Sequence, residues 1–133
     1  VFTRRRSLPP DLAAAYDAFL ACAAHVDLAQ RAMIRCVPSS PRSAALPLPV
    51  GAETLRLALA DASAAMDAWR HPAVLSSWEA CATALSTTLD GVDAAVARAS
   101  STVELEVALT AVQDLLEPLH AFADAEAAFN RLR

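Results

Sequence analysis

An all-α fold is predicted by three features of this sequence: 33 Ala and 18 Leu dominate its 133 residues, glycine occurs only twice, and aromatic residues make up 5%. Sheets draw on β-branched and aromatic side chains and their turns on glycine, whereas Ala and Leu head the helix scale. Apolar positions recur alternately three and four residues apart, which lines them up on one stripe of a helix. At 14.0 kDa the chain has the size of one domain, able to bury about two thirds of the surface its unfolded form exposes. The expected architecture is an elongated bundle of three long heptad-patterned helices packed at shallow angles, a single helical domain over 1–133 with a proline-rich hinge at 38–51.

The first helix is expected to begin at Pro9 and Pro10, because the missing proline N–H has no partner to lose in a first turn. It runs to Val37 with a seam of Leu12, Tyr16, Phe19, Ala23, Val26, Gln30, Met33 and Val37, in which only Gln30 is polar. About 28 residues give it a length of roughly 40 Å. The segment from Pro38 to Gly51 then carries four prolines in fourteen residues and reads as a stiff linker able to reach roughly 40 Å. From Ala52 the stripe resumes with Leu55, Leu59, Ala62, Met66 and Trp69. Pro72 follows, where a new helix starts or one long helix over 52–99 kinks; the kink is the expectation. Beyond it Leu75, Trp78, Ala82, Leu85, Leu89, Val92, Val96 and Ala99 continue the alternation. The third helix opens on the capping box Ser101-Thr-Val-Glu104, with Leu105, Leu109, Val112, Leu116 and Leu119 on its seam and Phe122, Phe129 and Leu132 on a slightly rotated stripe. Pro118 should kink it. Phe19, Val26, Met66, Trp78, Leu85, Leu89, Leu109, Val112 and Leu116 are the expected core.

Net charge is −4, from 15 acids against 11 bases that are all Arg, with no Lys. That balance argues against a nucleic-acid partner. Asp17, His25, Asp27 and Arg31 interrupt the first apolar run and prolines the next, so no membrane insertion is expected. Three Cys, an odd number without close spacing, read as reduced buried thiols in a reducing compartment.

Candidate chemistry is sparse. Glu117-Pro-Leu-His120 has the Glu-x-x-His spacing of di-iron bundles, but such sites need two of these motifs and two further carboxylates. His25, His71 and His120 have no second ligand at i+3 or i+4 except Glu117. Cys22 and Cys36 fall on one side of the first helix and Cys81 beside the seam residue Ala82, where a thiol behaves as a small hydrophobe. Cys22 and His25 have the spacing of a nucleophile and base, with nothing to orient them. Arg4-Arg5-Arg6 reads as a solvated terminus, and the six acids from Glu104 to Glu126 as a solvated face. No catalytic, cofactor-binding or metal-binding residue is assigned, no cofactor is expected, and the chain is not expected to be an enzyme.

Residues encoded by A/T-rich codons are nearly missing, with no Lys, one Asn, one Ile and one Tyr, so the gene is very GC-rich. With that bias, with the run RRRSLPPDLAAAYDAFL, and with a chain that opens on Val1 and closes within a helical pattern at Arg133 as an excerpt of a longer polypeptide would, the sequence resembles the herpes simplex virus (alphaherpesvirus) large tegument protein family, in its helical central part. An actinobacterial helical protein is the other source with this signature. The resemblance covers the whole chain as overall character and carries no diagnostic motif. It implies a capsid-bound virion protein of the tegument, found also in host cytoplasm and nucleus, that partners other tegument and capsid proteins in capsid transport and virion assembly. That family's deubiquitinase domain lies elsewhere, and the Cys and His residues here do not match it. Two function classes follow: a stalk or spacer that self-associates, or a compact bacterial bundle binding a partner helix or small ligand. A homodimer is expected, with the first helix exchanged between chains through the 38–51 linker.

Overall fold

The structure, a computed structural model, describes residues 8–36, 48–98 and 119–133. Every regular element among them is helical, as the composition requires, but the described residues hold four α-helices where three were expected: α1 (Pro10–Cys36), α2 (Leu48–Ala64), α3 (Leu75–Arg98) and α4 (Ala121–Arg131). The capping box at 101–104, the seam from Leu105 to Leu116, Glu117 and the kink at Pro118 lie outside the described residues.

α1 starts as its prolines dictate. Pro10 takes the first helical position and the Pro9 carbonyl accepts from the Ala13 N–H at 2.8 Å. Its 27 residues span about 40 Å. By length and composition alone, with a mean hydropathy of 1.3 over Pro10–Met33, α1 is also apolar enough to cross a membrane, against the expectation that no segment would be. In this fold its apolar stripe is packed on α2 and α4, with 33% of that stretch buried. α2 begins at Leu48, inside the stretch expected to be linker. Pro49 falls in its first turn, where it removes no hydrogen bond, so it starts the helix rather than forbidding it.

At Pro72 the helix breaks instead of kinking. α2 ends at Ala64, a 3-10 turn covers Met66–Trp69, Arg70 and His71 are extended, and Pro72 opens a second 3-10 turn, Pro72–Val74, that leads into α3. Proline disfavours the helical conformation in the residue before it, and His71 accordingly sits at φ −137°, ψ 139°. Four side chains hold the break. His71 Nδ1 accepts from the Ala73 N–H at 3.0 Å, and its Nε2 meets Asp11 Oδ2 at 2.8 Å. An Nδ1 that accepts leaves the proton on Nε2, which donates to the carboxylate; this bond holds the Asp11 carboxyl below its ordinary value. Trp78 Nε1 donates to the Met66 carbonyl at 2.7 Å, and the Arg70 guanidinium lies 5.0 Å over its ring. Trp78 is therefore half-buried rather than in the core.

The α2 seam is buried as expected from Leu55 to Trp69, while α1 and α3 turn by one position. On α1 the core side chains are Leu12, Ala15, Phe19, Cys22, Val26, Ala29 and Met33, with Tyr16, Ala23 and Gln30 half-buried beside them. On α3 Cys81, Leu85, Thr88, Val92 and Ala95 are buried, Leu89 is half-buried and Val96 exposed. At positions 15/16, 29/30, 88/89 and 95/96 the smaller of two neighbouring side chains is the buried one, which lets the axes approach and the larger one cover the flank; at 22/23 and 81/82 the buried residue is the cysteine. α1 and α2 run antiparallel, fixed where Cys22 Sγ donates to the Ala62 carbonyl at 3.2 Å. α3 packs on α2, and α4 packs on α3 and α1. Phe19, 1% exposed, is the centre of the core: its ring lies 5.0 Å from Trp69, 5.4 Å from Phe129 and 6.2 Å from Phe122, joining α1, the break and α4. Leu132, expected on this stripe, lies past the last turn of α4 and is exposed.

Candidate functional site

A cleft of about 350 Å³ runs between α1 and α2. His25, Leu28, Arg31 and Ala32 of α1 and Thr54, Leu57, Ala58 and Asp61 of α2 line it. Carried on from the contacts of Cys22 with Ala62 and Met66, an antiparallel register puts His25 near the level of Asp61, Leu28 near that of Leu57 and Ala58, and Ala32 near that of Thr54. Leu28 is 53% exposed and Leu57 51%, so two leucines on neighbouring helices stand in solvent on either side of one groove. Arg31 is paired with Asp27 one turn before it, at 3.0 Å. On α2, Arg56 forks onto Glu53 at 2.6 and 3.1 Å, which lowers the carboxyl and raises the guanidinium from their ordinary values. The groove thus carries an apolar floor, an imidazole on one wall and a carboxylate on the other. That equipment suits recognition of a surface.

A second groove of about 320 Å³ lies between α1 and α4, with His120 and Glu126 on one wall and Asp27 and Gln30 on the other. Glu126 Oε1 accepts from the Tyr16 hydroxyl at 3.3 Å, and the Arg133 guanidinium lies 5.1 Å over the Tyr16 ring.

The residues with chemical potential are spread over the fold. His25 sits in the α1–α2 groove, His71 at the break and His120 at the start of α4. Among the described residues no three His, Cys, Asp or Glu side chains gather as metal ligands. Cys22 turns into the core, 3.7 Å from Met66 Sδ, away from the groove that holds His25. The thiol is thus enclosed in the core while the imidazole lines the groove. Burial raises the Cys22 thiol, and burial together with the nearby Cys22 and Asp124 pushes Cys81 up to about 12. Both are neutral thiols, and a neutral thiol is neither nucleophile nor ligand. The Trp69 indole N–H is buried without a hydrogen-bond acceptor and lies beside the Cys22 sulfur. Arg4, Arg5, Arg6 and Glu117 lie outside the described residues.

Leu28 and Leu57 were on neither expected seam, and the groove was missed for that reason. Its signal is an off-stripe leucine on each of two helices joined by one connection. Scans of protein-family models, curated proteins and solved structures find no match to this chain.

Proposed function

We propose that this chain is a structural module: an elongated helical stalk, spacer and self-association segment of a large virion tegument protein, linking capsid to outer tegument and envelope in capsid transport and virion assembly. The tegument assignment rests on the resemblance in composition and in the run RRRSLPPDLAAAYDAFL. The structural role rests on one observation, the nature of the interior. Among the described residues a single apolar cluster runs through all four helices, the buried Thr88 hydroxyl is turned back onto the Ala84 carbonyl at 2.8 Å, and the buried titratable side chains are the thiols Cys22 and Cys81, both raised by burial. An interior of that kind resists deformation and carries no charged side chain among the described residues. No enzymatic role is assigned, and homodimerisation is the assembly mode of this reading.

The second reading, a compact binding module for a partner helix or small ligand, has in its favour the α1–α2 groove, whose volume of about 350 Å³ falls within the range of small-molecule sites. Small-angle scattering separates the two. A compact chain of this length has a radius of gyration of about 14 Å; a rod-like profile well above that value supports the stalk, and a globular profile favours the binding module. Mass spectrometry of purified alphaherpesvirus virions tests the assignment to the tegument: tryptic peptides of this chain are expected, and their absence overturns it.

A further inference from the structure

We propose that the α1–α2 groove is the dimer interface, occupied by the same groove of a second copy related by a two-fold axis running along it. This deepens the self-association reading and rests on it. The argument is the self-complementarity of the face. A two-fold axis parallel to the helices lays α1 of each chain over α2 of its partner and keeps every turn at its own level. Because the antiparallel register carried on from Cys22 and Ala62 puts His25 level with Asp61 and Leu28 level with Leu57, all four lining the groove, the operation sets His25 against the partner's Asp61 and Leu28 against the partner's Leu57, each contact made twice. Arg31 then meets the partner's Thr54. The other two-fold arrangement, with the axis across the helices, sets α1 on α1 and brings His25 towards the partner's Arg31, leaving Asp61 without a basic group opposite. Charge and apolar surface both select the first.

Half-exposed leucines have a cost in water that a monomer leaves unrelieved, and a patch rimmed by polar groups is the form a contact surface takes. The occupant is a copy of this chain because the groove supplies both halves of its own complement. Exchange of α1 between chains would leave the groove open, since it repeats the intrachain contacts and covers no new surface. The two dimers therefore respond differently to substitution within the groove.

The test is the molecular mass in solution, by sedimentation equilibrium over a wide concentration range, of the full chain and four variants. Leu28→Glu and Leu57→Glu change exposed positions, and circular dichroism confirms that each remains helical. Each is expected to raise the dimer dissociation constant at least about tenfold. Asp61→Arg alone sets an arginine against the partner's His25 and weakens the dimer. His25→Asp alone sets two carboxylates together and does the same. Mixing these two chains restores association as a heterodimer, because the aspartate introduced at position 25 of one faces the arginine introduced at position 61 of the other, while the second contact is the native one. A dimer unaffected by Leu28→Glu and Leu57→Glu overturns the interface and leaves self-association standing, by exchange of α1. A wild-type chain that remains at 14.0 kDa at high concentration overturns both.

Discussion

Replacing Phe19 by alanine removes the ring on which the core converges, and the size of the loss can be worked out beforehand. Large-to-small substitution of a buried Phe costs about 3–5 kcal/mol when the cavity cannot collapse. Here the site is 1% exposed and walled by Trp69 at 5.0 Å and Phe129 at 5.4 Å, large rings on separate elements that cannot all move inward. Close ring pairs contribute about 0.5–1.5 kcal/mol each beyond their area, and the better helix propensity of alanine returns about 0.5. The expected loss is about 4 kcal/mol, a large share of the roughly 5–15 kcal/mol that holds a domain folded. Leu20→Ala is the control, one position along the same helix and 42% exposed; it should cost less than about 1 kcal/mol. Urea unfolding followed at 222 nm reads both. With slopes of about 1–3 kcal/mol per molar for small domains, Phe19→Ala should lower the midpoint by about 1.5–4 M. A loss below about 2 kcal/mol, or equal losses for the two variants, refutes the aromatic centre.

Leu85, 1% exposed on α3, should cost about 2–5 kcal/mol on replacement by alanine, and a change under about 0.5 in urea unfolding removes it from the core. Cys22 and Cys81 should resist a thiol reagent in the native state and label on unfolding, as peptide mapping would read; rapid native labelling contradicts their burial. Both thiols are raised in the folded chain, so above their ordinary value of 9.0 the unfolded chain binds fewer protons and stability falls with pH. The fall continues towards the Cys81 value of about 12, and Cys81→Ala should flatten it in melts between about pH 8 and 10.5. Asp11 is lowered, so its contribution is present above its ordinary value of 3.8 and disappears as pH falls through the lower folded value. Asp11→Asn should therefore lower the melting temperature at neutral pH, with a difference from the parent that narrows below 3.8. A difference independent of pH removes the His71 bond from the account.

The helical class, the start of α1 at Pro9 and Pro10, and the α2 stripe from Leu55 to Trp69 were all written locally, in propensity and spacing. Other features depended on what lay across the fold. Positions 15 and 16, 22 and 23, and 29 and 30 satisfy the same periodicity, and only the approach of α2 decides that Ala15, Cys22 and Ala29 are the buried members. Pro72 announced an interruption, but a kink and a break differ by the company of His71, Asp11 and Trp78, which come from sixty residues before the break and a few after it. Pro49 was read as linker because a proline in a first turn and one in a loop leave the same local trace. The groove escaped because Leu28 and Leu57 acquire meaning only as neighbours on a surface.

The contacts of Asp11 with His71 and of Tyr16 with Glu126 and Arg133 have a mechanical corollary. They gather the entry of α1 and the exit of α4 at one end of the fold, while the far ends of α1 and α3 lie at the other. Polypeptide joined at Leu8 and Arg133 would enter and leave through the same base, so the helices would stand out from the path of a longer chain like a side branch, about 40 Å tall. Tension along that path would pull across the base, against the His71 and Tyr16 clasps and the aromatic rings just above them, and would reach the outer half of α1 and α2 last. The α1–α2 groove, in that outer half, would keep its geometry under load.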